Sequence, residues 1–151
     1  MATLSSRPRG GVVIVDDGKV ALIKRVNDRG VYYLFPGGGV DEGETPADAA
    51  VREAKEELGL DVRVTGLLAV VTSRGNEQYY YAAEVTGGVF GTGTGKELSS
   101  PPDSKKGTYT PMWVPLDQLG EISAHPRPVA DLIASGMPQI PEIPLRIVED
   151  A

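Results

Sequence analysis

The stretch GGVDEGETPADAAVREAKEELGL, Gly38 to Leu60, decides more about this chain than any other segment. Its fixed points are Gly38, then Glu44, then Arg52-Glu53, Glu56-Glu57 and Gly59. Local chemistry predicts a helix in its middle. Thr45 suits an N-cap, Pro46 the first helical position, and Asp48 the acid three residues after the cap. Gly59 is the matching stop, because a glycine readily takes the left-handed conformation that ends a helix. Ala47, Ala50, Val51, Ala54 and Leu58 fall on one apolar stripe at helical spacing. Glu53, Glu56 and Glu57 cluster within an arc of about 100° beside that stripe. One flank is expected to pack and the next to present carboxylates.

Working outward, GVVIVD (11–16) and KVALIKR (19–25) are β-rich runs joined across Asp16-Asp17-Gly18, a composition that favours a hairpin. Tyr32 to Phe35 reads as a further extended piece, ended by Pro36-Gly37-Gly38-Gly39. After the helix, Asp61 to Thr72 and Gln78 to Val85 are strand-like, separated by the turn-like residues 73–77. Residues 86–107 read as a long Gly, Ser, Thr, Pro and Lys loop, of a length that is uncommon unless mobile or functional. Tyr109 to Val114 predicts a last strand, Pro115 to Leu119 a helical turn, and Pro128 to Ala134 a closing helix. Prolines 138, 141 and 144 make the tail from Met137 an extended surface segment.

Residues 1–151 suit a single domain, with a flexible start over 1–10 and a proline-rich tail over 137–151. A domain of this size buries about 68–70% of its unfolded surface, enough for a sizeable core. A formal charge of −6 and a pI near 4.8 argue against a surface that gathers polymeric nucleic acid. An anionic substrate would then need cations. The absence of cysteine excludes disulfides, thiolate zinc sites and cysteine nucleophiles. With no signal-like or membrane-length apolar run, a cytoplasmic protein without membrane contact is expected.

Taken alone, EAKEELG is what an ordinary solvated helix looks like, with Arg52 and Glu56 as an i,i+4 pair. The wider spacing changes the odds. A chance match to its seven fixed and two apolar positions is on the order of one in 10⁹ per start site. Three carboxylates on one helix also repel, and a bound cation would relieve them. The segment resembles the Nudix box, the signature of hydrolases that split nucleoside diphosphates linked to another group. Phe35-Pro36-Gly37 before it is also similar to the family.

That resemblance implies an α/β fold, an α/β/α sandwich with a central mixed β-sheet. It implies that Glu53, Glu56 and Glu57 ligate magnesium, with manganese as a substitute, and that the Gly37 carbonyl joins them. Gly38, Glu44 and Arg52 correspond to the positions that brace the loop against the helix. Ala54 stands where the family usually has a larger aliphatic. For the base that activates water, the family uses either a box glutamate or an acid from a distant loop. Glu53 and Glu56 are the box candidates here, and Glu97 the loop candidate. A homodimer is common in the family. A nucleotide-sensing module without turnover is the competing reading, which loss of the box acids would favour; all of them are present.

Outside the box, Arg25 and Arg74, with Lys24, are candidate phosphate contacts, and Tyr79 and Tyr81 share the strand face that could stack on a base. Tyr80 would face the other way, towards a core. Gly91-Thr-Gly-Thr-Gly-Lys96 fails as a phosphate loop, because that motif needs glycine at Phe90 and Ser or Thr at Glu97. His125, the single histidine, reads as a surface or helix-entry residue beside Pro126, and no GxSxG motif supports a serine hydrolase. The substrate implied is a small nucleotide: a nucleoside triphosphate, an oxidised nucleotide or a nucleotide sugar. The proline of many ADP-ribose hydrolases is absent, since residues 74–78 occupy its region, and Tyr79 lies near but not at the tyrosine of many dinucleoside polyphosphate hydrolases.

Overall fold

The computed structural model describes residues 7–73, 75–93, 107–134 and 145–149. In chain order the elements are β1 (Arg9–Val13), β2 (Val15–Asp16), β3 (Lys19–Asn27), β4 (Gly30–Leu34), β5 (Gly37–Gly39), α1 (Pro46–Leu58), β6 (Leu60–Ser73) and β7 (Asn76–Gly88). There follow β8 (Thr108–Pro115), a 3-10 turn (Leu116–Glu121), β9 (Ala124–His125), α2 (Arg127–Ala134) and β10 (Leu145–Glu149).

The strand expected over 11–16 is divided. Its first part, β1, belongs to a sheet ordered β10-β6-β7-β1-β5, whereas β2 belongs to a second sheet, β2-β3-β4-β9, in which β8 also pairs with β3. Ile14, buried at the crossing point, carries the chain from one sheet to the other. Asp17 and Gly18 take φ of 54° and 74°, the two successive positive angles that a tight hairpin between β2 and β3 requires. Both sheets are mixed: β1 runs parallel to β7, β10 to β6 and β4 to β9, with the remaining pairs antiparallel. The single central sheet expected is thus resolved into two.

The period of two along each strand sorts the core into two halves. Val12, Ile14, Ala21 and Ile23 pack with Ala50, Ala54 and Leu58 of α1. Val13, Val20 and Leu22 pack with Val129, Ala130 and Ile133 of α2. Sheet residues therefore lie between the two helices, the layering expected for the mixed α/β class. Tyr80 and Tyr81 obey the same rule, Tyr80 in the α2-side core and Tyr81 against the α1-side core.

Helix α1 is built as its sequence predicts. Thr45 Oγ1 accepts from Asp48 N–H at 3.1 Å while the Asp48 carboxylate accepts from Thr45 N–H at 3.1 Å, and Gly59 ends the helix at φ 81°. Its buried arc is shifted from the expected stripe, however. Ala49 is fully buried and Val51 is 37% exposed. The arc is centred nearer Glu57, which is itself buried. The reason is the surface beneath: Gly10 of β1 has no side chain, and a Cβ there would overlap the Pro46 carbonyl oxygen. The helix lies directly on strand backbone where it crosses Gly10, and its buried arc there is made of small alanines, with Glu57 directed at the glycine turn and Leu58 buried at the last turn. Ala54, with no exposed surface, fills its site at this short separation.

Two other segments differ from expectation. Residues 145–149 of the tail add an edge strand beside β6, Leu145 opposite Ala69, instead of only crossing the surface. The start of the expected 86–107 loop is structured: Gly91 N–H donates to Leu58 O at 2.9 Å and Val89 N–H to Gly59 O at 3.2 Å, closing the C-terminal end of α1. Phe90 stacks on Trp113 at a centroid distance of 5.0 Å.

Candidate active site

The turn from β4 to β5 brings Phe35-Pro36-Gly37-Gly38-Gly39 beneath α1, held by antiparallel pairing of Gly37 to Gly39 with β1. Bare backbone at these glycines is what lets side chains from elsewhere approach. A Cβ on Gly38 would overlap the Glu53 carboxylate, and one on Gly39 would overlap the Arg7 guanidinium. Gly37 N–H donates to Glu57 Oε1 at 2.8 Å. Two acids of the box helix thus face the glycine turn, inside the packed arc rather than beside it. A buried carboxylate must be partnered, and this backbone N–H is one such partner.

Arg52 organises the opposite edge. Its Nε and Nη2 donate to the two Glu44 oxygens at 2.8 and 3.0 Å, and Nη2 also reaches the Gly39 carbonyl at 2.9 Å. Nη1 donates to Glu53 Oε2 at 3.1 Å and to Glu56 at 3.4 Å. One guanidinium therefore ties the loop to the helix and offsets repulsion between Glu53 and Glu56. Hydrogen bonds from Arg52 and from Asp41 N–H hold the Glu44 carboxyl down at about 2, and the Glu44 bond raises the pKa of Arg52. Both groups are charged throughout the working range of pH.

A cleft of about 380 Å³ opens against Glu53, Glu57 and the glycine turn, and its other wall is cationic: Arg7, Arg9 and Arg25. The Arg25 guanidinium lies 3.7 Å from the centre of the Tyr109 ring, a contact that fixes its position while leaving its charge intact. Arg7, Arg9 and Tyr109 were not singled out from the sequence. Nothing local distinguishes them; they reach the cleft because β1 pairs with β5 and β8 with β3.

Of the residues expected at the site, Gly37, Gly38, Glu44, Arg52, Glu53, Glu56 and Glu57 are brought together, with Arg25 across the cleft. Tyr79 and Tyr81 do not border that cleft. Tyr79 donates to Glu77 at 2.8 Å, which raises its pKa, and burial raises that of Tyr81, so both are neutral phenols. Glu97 and Arg74 lie outside the described residues. Among the described residues, no three acidic or histidine side chains gather closely enough to hold a metal in this arrangement.

The fold and site define a mixed α/β protein that turns carboxylates from one helix onto a glycine turn facing an arginine wall. The NUDIX domain matches residues 6–134, and the chain belongs to that family. Among curated proteins it is 37% identical over 79 residues to an RNA pyrophosphohydrolase of Sphingopyxis alaskensis, covering 52% of this chain and 48% of that one. It is 49% identical over 63 residues to an ADP-ribose pyrophosphatase of Methanocaldococcus jannaschii, covering 40% and 37%. The chain thus spans half or less of the length of these relatives. A crystal structure of a MutT NUDIX hydrolase from Burkholderia pseudomallei superposes with a TM-score of 0.58 at 28% identity, over 82% of this chain and 94% of that one. No helix among the described residues is long and apolar enough to cross a membrane.

Proposed function

We propose that this chain is a metal-dependent pyrophosphohydrolase that uses water to cleave a phosphoanhydride in a small nucleotide. The observation that carries the reading is the pairing, across one cleft, of the Glu53 and Glu57 carboxylates with the Arg7, Arg9 and Arg25 cations. Arginines match phosphate oxygens, and a magnesium ion prefers oxygen donors. The donors fit such an ion in kind: Glu53, Glu56, Glu57 and the Gly37 carbonyl are all hard oxygens, and Glu53 and Glu56 already converge on one cationic nitrogen, Arg52 Nη1. When bound, magnesium or manganese would screen the phosphate charge and lower the pKa of water. Arg25 and Arg9 would orient the phosphates, and one acid, either a box glutamate (Glu53 or Glu56) or Glu97, would accept the water proton.

The chain's charge of −6 favours a small substrate over a long polynucleotide. The relatives are named an RNA pyrophosphohydrolase and an ADP-ribose pyrophosphatase, so the chemistry their names share is cleavage of a pyrophosphate linkage. A nucleoside triphosphate, an oxidised nucleotide or a nucleotide sugar fits it. The test is a nucleotide panel with and without magnesium or manganese, with phosphate products measured. Wild type is expected to turn over only with metal, and Glu56→Gln to lose about 10²-fold or more of that rate. Saturable nucleotide binding with no product under either metal would replace the hydrolase by a sensor. Unchanged turnover of Glu97→Gln at saturating magnesium would remove Glu97 from the mechanism.

A further inference from the structure

Arg25 lies between two rings. Its register partner in β4 is Tyr32 and its register partner in β8 is Tyr109, so the three side chains stand in one row across three strands, on one face of the sheet. The guanidinium carbon is 3.7 Å from the Tyr109 ring centre and 5.5 Å from that of Tyr32, both inside the reach of about 6 Å for a cation–π contact. This face is the one turned towards the box acids: Ile23, two residues earlier in β3, borders the same cleft as Arg25, Tyr109, Glu53 and Glu57. Lys24, registered with Tyr33 and Thr110, belongs to the opposite face.

The row depends on where β8 begins. Gly107 takes φ of 74°, and a Cβ there would overlap the Val26 carbonyl oxygen. A bare glycine lets the chain close on the end of β3, which sets Thr108 opposite Val26 and Tyr109 opposite Arg25.

Arg52 and Arg25 are held by different means. Arg52 donates to Glu44, Glu53 and Glu56, contacts that consume its N–H groups and offset its charge. A ring face holds a guanidinium through its quadrupole and brings no opposing charge. The mount on Tyr109 therefore restrains Arg25 without spending its donors.

We propose that Tyr109 is a positioning residue for the substrate's phosphates: its ring, with that of Tyr32 on the other side, sets the Arg25 guanidinium across the cleft from Glu53. This rests on the cleft being the phosphate end of a hydrolase site. The group it serves is a diphosphate, whose oxygens the planar fork of arginine meets in pairs. Alignment of this kind acts on the bound ground state, so it is read in affinity and KM rather than in kcat.

The test is a double-mutant cycle on the full chain, read by calorimetric titration with methylenediphosphonate, an uncleavable diphosphate, in the presence of magnesium. Arg25→Gln should weaken binding about tenfold. Tyr109→Leu should weaken it roughly three- to tenfold, the loss of one ring contact, and Tyr109→Phe should return it to within about twofold of wild type. In the Arg25→Gln background Tyr109→Leu should add nothing, because its effect passes through the guanidinium. For a nucleotide that is turned over, Tyr109→Leu should raise KM by a similar factor and leave kcat within about twofold. Thermal melting of each variant separates lost folding from lost binding, and Tyr109→Ile, which suits a strand, replaces the leucine variant should that one melt below the assay temperature. Equal losses for Tyr109→Leu with and without Arg25, or wild-type affinity in Tyr109→Leu, overturn the mount and leave the hydrolase standing. Coupling between the two residues in a protein that yields no product from any nucleotide overturns the hydrolase and retains the mount.

Discussion

Replacing Gly10 by alanine adds one methyl group where α1 rests on β1. The new Cβ would overlap the Pro46 carbonyl oxygen and stand 3.0 Å from Ala50 N and 3.1 Å from the Pro46 carbonyl carbon. These are backbone atoms, so no rotamer change relieves the overlap. The helix must move away from the strand by roughly 1 Å to restore ordinary contact. Overpacking of this kind costs about 1–3 kcal/mol. Alanine returns about 0.4–1 kcal/mol by restricting the unfolded chain, which does not cancel it. At mid-range values the net loss is about 1.3 kcal/mol, which for a chain of this length lowers Tm by roughly 3–5 °C. The same displacement carries Glu53, Glu56 and Glu57 with it, and a 1 Å error in positioned groups can cost about 10²-fold in rate. Thermal unfolding by circular dichroism and metal-dependent phosphate release measure the two effects. Gly120→Ala is the control, because its Cβ would meet nothing within 4 Å, and it should stay within about 0.5 kcal/mol of wild type. A Gly10→Ala protein with unchanged Tm and full turnover would refute the claim that backbone contact sets the height of α1.

Glu44 and Gly93 give two further tests. The folded pKa of Glu44, about 2, lies below the ordinary value of about 4.3, so its pairing contributes stability that is present above pH 5 and lost as pH falls towards 2. Glu44→Gln should therefore be less stable than wild type at pH 7, with a gap that narrows at pH 3; urea denaturation showing an equal gap at both would count against it. A Cβ on Gly93 would overlap Glu56 O and lie 2.8 and 2.9 Å from the carbonyl carbon and oxygen of Glu57. Gly93→Ala is expected to raise the magnesium concentration for half-maximal turnover several-fold, whereas an unchanged metal titration would mean this contact does not position the box acids.

The helix from Pro46 to Leu58 was legible to the residue, because a capping box and a terminal glycine are local chemistry. The contact of Arg52 with Glu44 was expected from the family resemblance, not from spacing, and the structure adds the Gly39 carbonyl to it. The depth of the acids did not follow. Amphipathic reading assigns carboxylates to a solvated flank, but Glu57 lies in the buried arc because Gly10, Gly37 and Gly38 leave room beneath the helix and Gly37 N–H supplies a partner. The division of residues 11–16 at Ile14 was equally hidden, because Val12 to Val15 form one unbroken apolar run with no turn residue at the crossing.

By itself the sequence determined which acids stand together, where their helix begins and ends, and therefore the chemistry they suit, all of which depend on neighbours within one or two helical turns. Tertiary structure decided what faces them. Arg9, Arg25 and Tyr109 are far apart along the chain and carry no common motif. They meet because strand pairing between β1 and β5 and between β3 and β8 fixes their register. Register is a long-range property, set by packing on both helices rather than by any local preference.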